Sequence, residues 1–485
     1  MEDDVSIVLA SNRGPVSFVK TAEGFEPTRG AGGLAGALDW VARELGDRAI
    51  WIAAATSDDD REALAAGDAE TTRELLGYPV RMLDFDPETY ERYYNGVSNR
   101  MLWFANHCLW DELGGDPEFQ SSNWSAAYEP VNVRFADEII DSAADDALVL
   151  FQDYHLATAP GHLRERGDEH SILHFTHSSF CGPQGLERLP APIPRGVTEG
   201  MLGADLLGFH VPRWADGFLR CCERIGAEVD RAAGIVHHEG RRTWVRSYPI
   251  PIDPTDLRER AAGVSARRWA DRFRASAENL VVRADRAEPS KNIVRGFEAF
   301  GRLLDRRPDL RDNTKFIACL YPSRESMTEY RRYAEQIRAV VAEVNSRHPD
   351  SIDLYYEDDF DRTLGAYLVY DVLLVNPIMD GMNLVSKEGP ALNERSGALV
   401  LSTGAGSHYE LGDLSVTISD PLDIEATTTA LESALELDPS ERERRARELK
   451  GVIGARLPED WIQAQLDDLT SIARGDPPHS DSPFA

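Results

Sequence analysis

Lysine is nearly absent from this sequence. Among 485 residues with 52 basic side chains, arginine takes nearly every basic position, and the lysines are only Lys20, Lys291, Lys315, Lys387 and Lys450. The 83 acidic residues leave a formal net charge of −31, which argues against nucleic acids and anionic membranes as partners. A lysine-poor acidic surface is typical of proteins that work in molar salt, where a Debye length of about 3 Å screens self-repulsion. The alternative is a merely acidic mesophilic protein.

Cysteine and long apolar runs are scarce as well. The cysteines are odd in number and form no C-x-x-C motif, so the sequence signals neither a disulfide framework nor a zinc site. No apolar run is long enough to span a bilayer, and the acidic start at residues 1–4 is unlike a signal peptide. We therefore expect a cytoplasmic protein with no membrane partner, and homo-oligomerisation stays open. The cysteines are Cys108, Cys181, Cys221, Cys222 and Cys319.

The pattern of apolar residues is that of an α/β protein. With 42% hydrophobic residues, a chain of 485 residues can form two or three domains with substantial cores. Apolar runs that suit buried strands alternate with helical patterns, which predicts parallel, doubly wound sheets. In the first half these runs are 5–10, 49–54, 80–83, 147–152, 171–176, 204–209 and 243–248. In the second half they are 280–284, 315–320, 352–356, 371–376, 398–402 and 415–418.

A proline-rich stretch separates the two series of strands. Residues 248–254 contain three prolines and have the character of a stiff linker. We therefore predict an N-terminal Rossmann-like domain over 1–248 and a C-terminal Rossmann-like domain over 249–474. The last helical pattern, about 459–474, could pack back on the N-terminal domain. The Pro- and Ser-rich tail 475–485 is expected to be disordered.

The stretch from Asp380 to Glu388 has the pattern of a phosphate-binding turn. It follows the predicted strand 371–376, and Gly381 permits a tight turn before a helix that is expected to start near Leu384. Backbone N–H groups and the positive end of the helix dipole would favour a diphosphate there. Asp380 stands at the carboxyl end of the strand, where open sheets bind ligands, and Glu388 could accept hydrogen bonds from ribose hydroxyls. The alternative is an ordinary strand-to-helix turn with surface charges.

Two cations follow the first strand of the second domain. Arg286 and Lys291 would converge near the N-terminus of the next helix, a place suited to a diphosphate. The acidic runs 58–60 and 357–359 fit loop acidity better than metal binding, so we expect no metal and no cofactor. Two facing Rossmann-like domains with a cleft between them and a metal-free cationic diphosphate site suggest a glycosyltransferase of the GT-B type.

Polar residues also follow the strands of the first domain. Arg13 follows the first strand and could bind a phosphate, although an arginine in such a place is more often part of a structural ion pair. Asp153 and His177 each follow the end of a predicted strand, so an Asp and a His are expected at the same rim. The glycine-rich loop 29–34 could let the backbone approach a ligand, but it lacks the G-x-G-x-x-G dinucleotide fingerprint.

Together these motifs resemble the trehalose-6-phosphate synthases, the OtsA-like retaining glycosyltransferases. The resemblance runs from Ser11 to about Arg474 and is specific in the combination of motifs. That family couples a nucleotide-activated glucose, such as UDP- or GDP-glucose, to glucose 6-phosphate and gives α,α-trehalose 6-phosphate with retention at the donor carbon. The motifs are Ser11-Asn12-Arg13, Gly32-Gly33-Leu34, Tyr93-Tyr94-Asn95 with Ser98-Asn99 and Trp103, Asp153-Tyr154-His155-Leu156, Leu206-Leu207-Gly208-Phe209, Tyr248-Pro249-Ile250, Ser290-Lys291 and Asp380-Gly381-Met382-Asn383-Leu384-Val385 with Lys387-Glu388.

The resemblance implies a role for each matching position. Arg286 and Lys291 correspond to the clamp on the donor diphosphate, Asp380 to the carboxylate that binds the donor glucose, and His177 to the histidine beside the transferring sugar. The other donor-binding positions that it implies are Gly33, Asn383, Leu384, Val385 and Glu388. For the acceptor it implies Asp153 on the sugar hydroxyls, Trp103 as a wall of the pocket, and Arg13, Tyr94 and Arg324 on the phosphate.

The resemblance also implies a mechanism without a protein nucleophile. The leaving phosphate oxygen would take the acceptor's proton on the same face, and preorganised cations would stabilise the leaving diphosphate. The chain departs from the family after His177, where Ser178-Ser179-Phe180-Cys181 replaces the usual Ile-Pro-Phe-Pro. Such departures leave the donor base open and keep a related sugar-phosphate coupling, including a pseudo-glycosyltransferase, as an alternative. A catalytically inactive sugar-phosphate sensor is less favoured, because the clamp residues are all present.

Overall fold

The chain divides into two compact units. One contains the residues up to Ile250 together with those from Pro458 onward, and the other is Pro251–Leu457. The computed structural model describes residues 6–22, 24–29, 33–66, 69–109 and 117–479.

The first unit is built on a mainly parallel sheet. Its strands are β1 (Ile7–Ser11), β2 (Val16–Thr21), β3 (Gly24–Arg29), β4 (Ala49–Ala54), β5 (Val80–Leu83), β6 (Leu148–Gln152), β7 (Ser171–Thr176), β8 (Leu206–Phe209), β9 (Glu228–Asp230), β10 (Ile235–His238) and β11 (Arg241–Ser247). Within the described residues, nine of them join in the order β5-β4-β1-β6-β7-β8-β11-β10-β9, while β2 and β3 form a separate hairpin. The chain order reverses between β1 and β6, and doubly wound sheets bind ligands at the carboxyl side of such a switch point.

Helices cover this sheet and connect its strands. They are α1 (Gly33–Leu45), α2 (Asp58–Ala66), α3 (Ala69–Leu76), α4 (Pro87–Glu91), α5 (Trp103–Asn106), α6 (Pro117–Asn123), α7 (Glu129–Ser142), α8 (Ala159–Glu165), α9 (Pro183–Leu186), α10 (Ile193–Met201) and α11 (Pro212–Arg224). Two π-helical segments, Arg92–Leu102 and Trp124–Tyr128, continue into α5 and α7. Strands β1 and β4 are buried along their whole length, because helices take both faces of the sheet, and this explains their unbroken apolar sequences.

The second unit is a fully parallel doubly wound sheet. Its strands β12 (Asn279–Arg286), β13 (Thr314–Tyr321), β14 (Ile352–Tyr356), β15 (Val372–Val375), β16 (Ala398–Ser402) and β17 (Val416–Ile418) lie in the order β14-β13-β12-β15-β16-β17. The order reverses between β12 and β15, and the two faces of the sheet carry separate apolar clusters. The helices are α12 (Pro254–Ala261), α13 (Val264–Arg274), α14 (Ile293–Arg306), α15 (Thr328–Arg347), α16 (Phe360–Val369), α17 (Val385–Leu392), α18 (His408–Leu411), α19 (Ile424–Leu435) and α20 (Pro439–Ile453).

The last helix, α21 (Pro458–Ala473), belongs to the first unit. The Trp461 indole donates to the carbonyl oxygen of Tyr248 at 2.9 Å, and the Tyr248 hydroxyl donates to Asp468 at 2.5 Å. Of the predicted tail, the backbone of His479 donates to the same carboxylate at 2.6 Å, while residues 480–485 lie outside the described part of the chain.

The predicted strands are confirmed to within a few residues at each end, and several match in full, such as β5, β7, β14 and β16. The hairpin of β2 and β3 was predicted as a polar loop, which is wrong. Its strands carry exposed polar residues such as Lys20, so they lack an apolar run. The described part of the chain has no helix that is both long and apolar enough to cross a membrane.

One disulfide joins Cys108 to Cys181, with Cα atoms 6.6 Å apart. The cysteine count and spacing did not predict this bond. The partners are 73 residues apart, and only the packing of the segment after α5 against the loop after β7 brings them together. Close to the bond, the Ser179 hydroxyl donates to the carbonyl oxygen of Asn106 at 2.7 Å.

The net charge of −31 leads to a prediction about salt. We expect the melting temperature to rise by about 5 °C or more between dilute buffer and 2 M KCl, since salt screens the repulsion among surface carboxylates. Thermal unfolding followed by circular dichroism across a KCl series checks this expectation, with sucrose as a non-ionic control. A melting temperature that is flat or falls with KCl would contradict it.

Candidate active site

The turn between β15 and α17 is fixed by its own side chains. Asn383 lies in the left-handed region with φ of 70°, donates from Nδ2 to Asp380 at 3.0 Å, and accepts from the backbone N–H of Ser386 at 3.2 Å. The left-handed residue is therefore Asn383, whereas the sequence suggested Gly381 for the tight turn. Asparagine tolerates this conformation because its short side chain bonds to nearby groups.

Lys291 meets this turn at the switch point of the sheet. It closes the 3-10 turn Pro289–Lys291 after β12, and its ammonium forms a short ion pair with Asp380. Burial alone would lower the pKa of Lys291, but the carboxylates of Asp380, Asp285 and Glu288 outweigh it and raise the pKa. The side chain is thus a charged, largely enclosed cation.

The N-terminus of α17 follows the same turn. Leu384 precedes the helix and Val385 is its first residue, so their backbone N–H groups lack intrahelical acceptors and lie at the positive end of the dipole. Glu388 lies in the first turn, where it accepts a hydrogen bond from the Tyr367 hydroxyl at 3.3 Å and where burial raises its pKa. Sequence reasoning missed Tyr367, because a tyrosine on the apolar helix α16 gives no signal of such a contact.

Glu288 is surrounded by the other predicted cations of this unit. It is 1% exposed, lies 3.4 Å from Arg286 Nε, and accepts from the Ser323 hydroxyl at 3.0 Å. Burial would raise the pKa of Glu288, but Arg286, Arg324 and Lys291 hold it at about 2. Although Glu288 anchors one side of the Arg286 guanidinium, the Arg286 side chain remains 60% exposed and can meet a ligand. Sequence reasoning missed Glu288, although a carboxylate between two cations could have signalled it.

In the first unit, Asp153 and His177 lie together as predicted from their strand ends. Asp153 has a left-handed φ of 69°, and its carboxylate accepts from the backbone N–H groups of His177 and Ser178 at 3.2 and 3.3 Å. The His177 ring forms a hydrogen bond of 2.9 Å with the buried side chain of Gln152. Burial, together with His210 and His174, holds the pKa of His177 well below its ordinary value, so the ring is neutral at pH 7.

Arg13 and Tyr94 form the other polar pair of this edge. The exposed Arg13 guanidinium donates to the Tyr94 hydroxyl at 3.3 Å, and the Tyr94 ring stacks on Tyr90 and His155 with ring centres 5.7 Å apart. Trp103 is buried, with its ring stacked on His107 at 4.2 Å. Gly33 begins α1, and the loop of residues 30–32 that precedes it lies outside the described residues.

The acidic run 58–60 was predicted to lie in a loop but forms the first turn of α2, while the run 357–359 lies directly before α16. Asp60 accepts from the backbone of Phe18 and Thr56, and Asp359 caps α16 by accepting from the backbone of Arg362. In the part of the chain that the structure describes, no three His, Cys, Asp or Glu side chains are grouped so as to hold a metal ion.

A prediction about metal follows from the cationic character of the Lys291 turn. Turnover should change by less than about twofold in millimolar EDTA, because we expect Arg286, Lys291 and the dipole of α17 to supply the positive charge that a magnesium ion would otherwise supply. The check is a rate measurement after dialysis against EDTA, with a magnesium-dependent kinase as the control. A complete loss that magnesium restores would contradict the prediction.

Known proteins share the sequence family and the fold of this chain. The sequence model of the family described as glycosyltransferase family 20 matches residues 5–471 of this chain. The chain belongs to glycosyltransferase family 20. It is therefore a glycosyltransferase, as the motifs indicated, and the predicted GT-B fold class is confirmed by likeness to solved members.

Three relatives illustrate the range of the family. A validamine 7-phosphate valienyltransferase from Streptomyces hygroscopicus subsp. jinggangensis is 31% identical over 479 residues, which cover 96% of this chain and 94% of that protein. A trehalose-6-phosphate synthase from Mycolicibacterium smegmatis is 32% identical over 483 residues, or 96% and 92% of the two chains. The crystal structure of an α,α-trehalose-phosphate synthase from Burkholderia xenovorans in complex with glucose-6-phosphate superposes with a TM-score of 0.78 at 26% identity and covers 96% of this chain and 99% of that one.

Proposed function

We propose that this protein transfers glucose, with retention, from UDP- or GDP-glucose to glucose 6-phosphate and so produces α,α-trehalose 6-phosphate. The observation that carries the proposal is the group of Arg286, Lys291 and Asp380 at the switch point of the second unit, directly before the N-terminus of α17. Cations and free N–H groups there suit a diphosphate, and a carboxylate beside them suits the hydroxyls of a sugar.

The same group supports a role in the chemical step. Negative charge grows on the diphosphate as the bond to glucose breaks, and Arg286 and Lys291 would stabilise that charge because their carboxylate partners already orient them. Asp380 would hold the donor glucose while its other contacts, Asn383 and Lys291, keep its carboxylate in place. The acceptor hydroxyl would pass its proton to the departing phosphate oxygen on the same face, so no protein nucleophile takes part.

In the first unit, the proposal assigns His177 to the transferring sugar and assigns Asp153 and Arg13 to the acceptor. The neutral ring of His177 suits a hydrogen bond to a sugar hydroxyl without placing a second positive charge beside the developing oxocarbenium ion. Asp153 would accept from hydroxyls of the acceptor. The exposed guanidinium of Arg13, steadied by Tyr94, would bind the acceptor phosphate, as would Arg324.

A second candidate is a related coupling to a different sugar phosphate. It is favoured by the likeness to the Streptomyces valienyltransferase, whose named acceptor is validamine 7-phosphate. Both candidates share a phosphorylated acceptor and differ in the ring that carries the phosphate. Measuring which phosphorylated acceptor supports turnover therefore distinguishes the two candidate functions.

The proposal is tested by release of nucleoside diphosphate with UDP-, GDP- and ADP-glucose against glucose 6-phosphate, free glucose and validamine 7-phosphate, in molar KCl. We expect turnover with glucose 6-phosphate and UDP- or GDP-glucose, at a rate at least about a hundredfold above that with free glucose. Turnover with validamine 7-phosphate alone would support the second candidate. Absence of turnover with every phosphorylated acceptor would contradict both.

A further inference from the structure

Arg283 is a fully buried cation next to the Lys291 turn. It lies on β12, two residues before Asp285 on the same face of the strand, and its side chain is 0% exposed. A guanidinium withdrawn from water is unfavourable unless partners satisfy its N–H groups. The identity of those partners therefore shows what this residue does.

The guanidinium joins a carboxylate to the backbone that carries Lys291. Its Nε and Nη2 atoms donate to one oxygen of Asp285 at 3.0 and 2.7 Å, and Nη2 also donates to the carbonyl oxygen of Lys291 at 3.0 Å. Nη1 reaches the carbonyl oxygen of Ile293, at the start of α14, at 3.5 Å. Gly296 provides the space, because a Cβ there would lie 2.5 Å from Nη1.

We propose that Arg283 is a positioning residue for donor binding, which holds the Lys291 turn in place and neutralises Asp285 so that the Lys291 ammonium stays available to the diphosphate. The inference rests on the proposed function, since it assumes that Lys291 contacts a nucleoside diphosphate. Arg283 acts through Lys291 and Asp285, because its own side chain has no exposed surface with which to touch a ligand.

The charges around Asp285 explain why its partner matters. Burial raises the pKa of Asp285, while Arg283 and Lys291 oppose that rise. If Arg283 is removed, Asp285 either draws the Lys291 ammonium toward itself or takes up a proton. The groups that act on Asp285 from the surrounding elements are Arg283 on its own strand, Lys291 on the next turn, Asp380 after β15, Tyr333 on α15 and Tyr367 on α16.

This gives a pH signature that a merely structural role would not produce. In Arg283→Met, ionised Asp285 competes for Lys291 at high pH, and protonation of Asp285 at lower pH releases Lys291 to the ligand. Calorimetric titration with UDP or GDP should give a Kd for Arg283→Met about tenfold above that of the wild type at pH 8. At pH 6 the Kd of the variant should be closer to that of the wild type. The double variant Arg283→Met/Asp285→Asn should recover most of the wild-type affinity at both pH values.

Arg274 offers a matched control in the same unit. It bonds to the buried carboxylate of Asp371 at 3.2 Å, at the amino edge of the sheet and thus opposite the Lys291 turn. Arg274→Met should lower the melting temperature and leave nucleotide affinity unchanged at both pH values. Where Arg283→Met does not fold, Arg283→Lys keeps the charge but loses contacts to the carbonyl oxygens, and its Kd should still rise severalfold.

The outcomes separate this inference from the proposed function. If wild-type protein binds UDP or GDP while Arg283→Met or Arg283→Lys binds it equally well, Arg283 does not position the clamp. Arg283→Met could also lose affinity equally at both pH values, without recovery in the double variant Arg283→Met/Asp285→Asn. That result would likewise show that Arg283 does not act by neutralising Asp285 beside Lys291. If the wild-type protein binds neither nucleotide, it is the proposed donor that fails.

Discussion

Arg286→Ala is expected to lower turnover about a hundredfold or more, as removal of a preorganised contact to a developing anion typically does. Glu288 holds one side of this guanidinium at 3.4 Å while most of the side chain stays exposed, so the cation is oriented before any ligand arrives. Under the proposed function, the contact of Arg286 with the diphosphate would strengthen as the leaving group gains charge. The kcat should therefore fall more than the affinity for the donor.

Steady-state kinetics with saturating acceptor measure the change in kcat and the change in KM for the donor separately. Arg306→Ala is the matched control, because Arg306 lies on α14 in the same unit and pairs with surface carboxylates Glu425 and Glu432. Its kcat should stay within about twofold of wild type, as surface pairs contribute little. An unchanged kcat in Arg286→Ala would mean that Arg286 takes no part in the clamp.

Arg324→Ala is expected to weaken binding of the acceptor by about 1.5–3 kcal/mol, the range for a charged hydrogen bond. The Arg324 backbone has a left-handed φ of 43°, its guanidinium contacts the Tyr330 hydroxyl, and its charge acts on Glu288. These contacts orient the side chain, and a planar fork matches a phosphate bidentately. Arg324→Lys should recover little of the loss, because an ammonium lacks that fork.

One calorimetric titration and one kinetic comparison of two acceptors assign Arg324 to one substrate. Calorimetry with UDP or GDP should give nearly the same affinity in Arg324→Ala as in wild type, and the preference for glucose 6-phosphate over free glucose should shrink by a corresponding factor. Loss of nucleotide binding with the preference for the phosphorylated acceptor intact would place Arg324 in the donor site. Glu288 makes this a real alternative, because the charges of both Arg324 and Arg286 act on its carboxylate.

The sequence predicts the frame of this protein well because both sheets are covered on both faces. Strands such as β4 and β15 must then be apolar along their whole length, and an apolar run between polar turns is easily recognised. The β2–β3 hairpin was not predicted, because its strands are partly exposed and carry charged residues such as Lys20. The Cys108–Cys181 disulfide was not predicted, because the spacing of cysteines along the chain does not show which of them pack together.

Site residues that follow the ends of strands could be predicted from the sequence. The side chains that they bond to could not, when those side chains are distant in sequence. Asp380, Lys291, Asp153 and His177 follow predicted strands, so their edge of the sheet could be inferred. The ion pair of Lys291 with Asp380 and the hydrogen bond between the His177 ring and the Gln152 side-chain oxygen join residues far apart in sequence, and only the strand order brings them together. Buried charges such as Arg283 look like surface charges until the fold is known.

We propose that the protein joins a glucosyl unit to a sugar phosphate with retention of configuration at the donor carbon. The most direct measurement is NMR analysis of the product that forms from UDP- or GDP-glucose and glucose 6-phosphate in molar KCl, after phosphatase treatment. We expect a non-reducing disaccharide in which both anomeric carbons have the α configuration. A β configuration at the donor carbon, or free glucose as the only product, would contradict it.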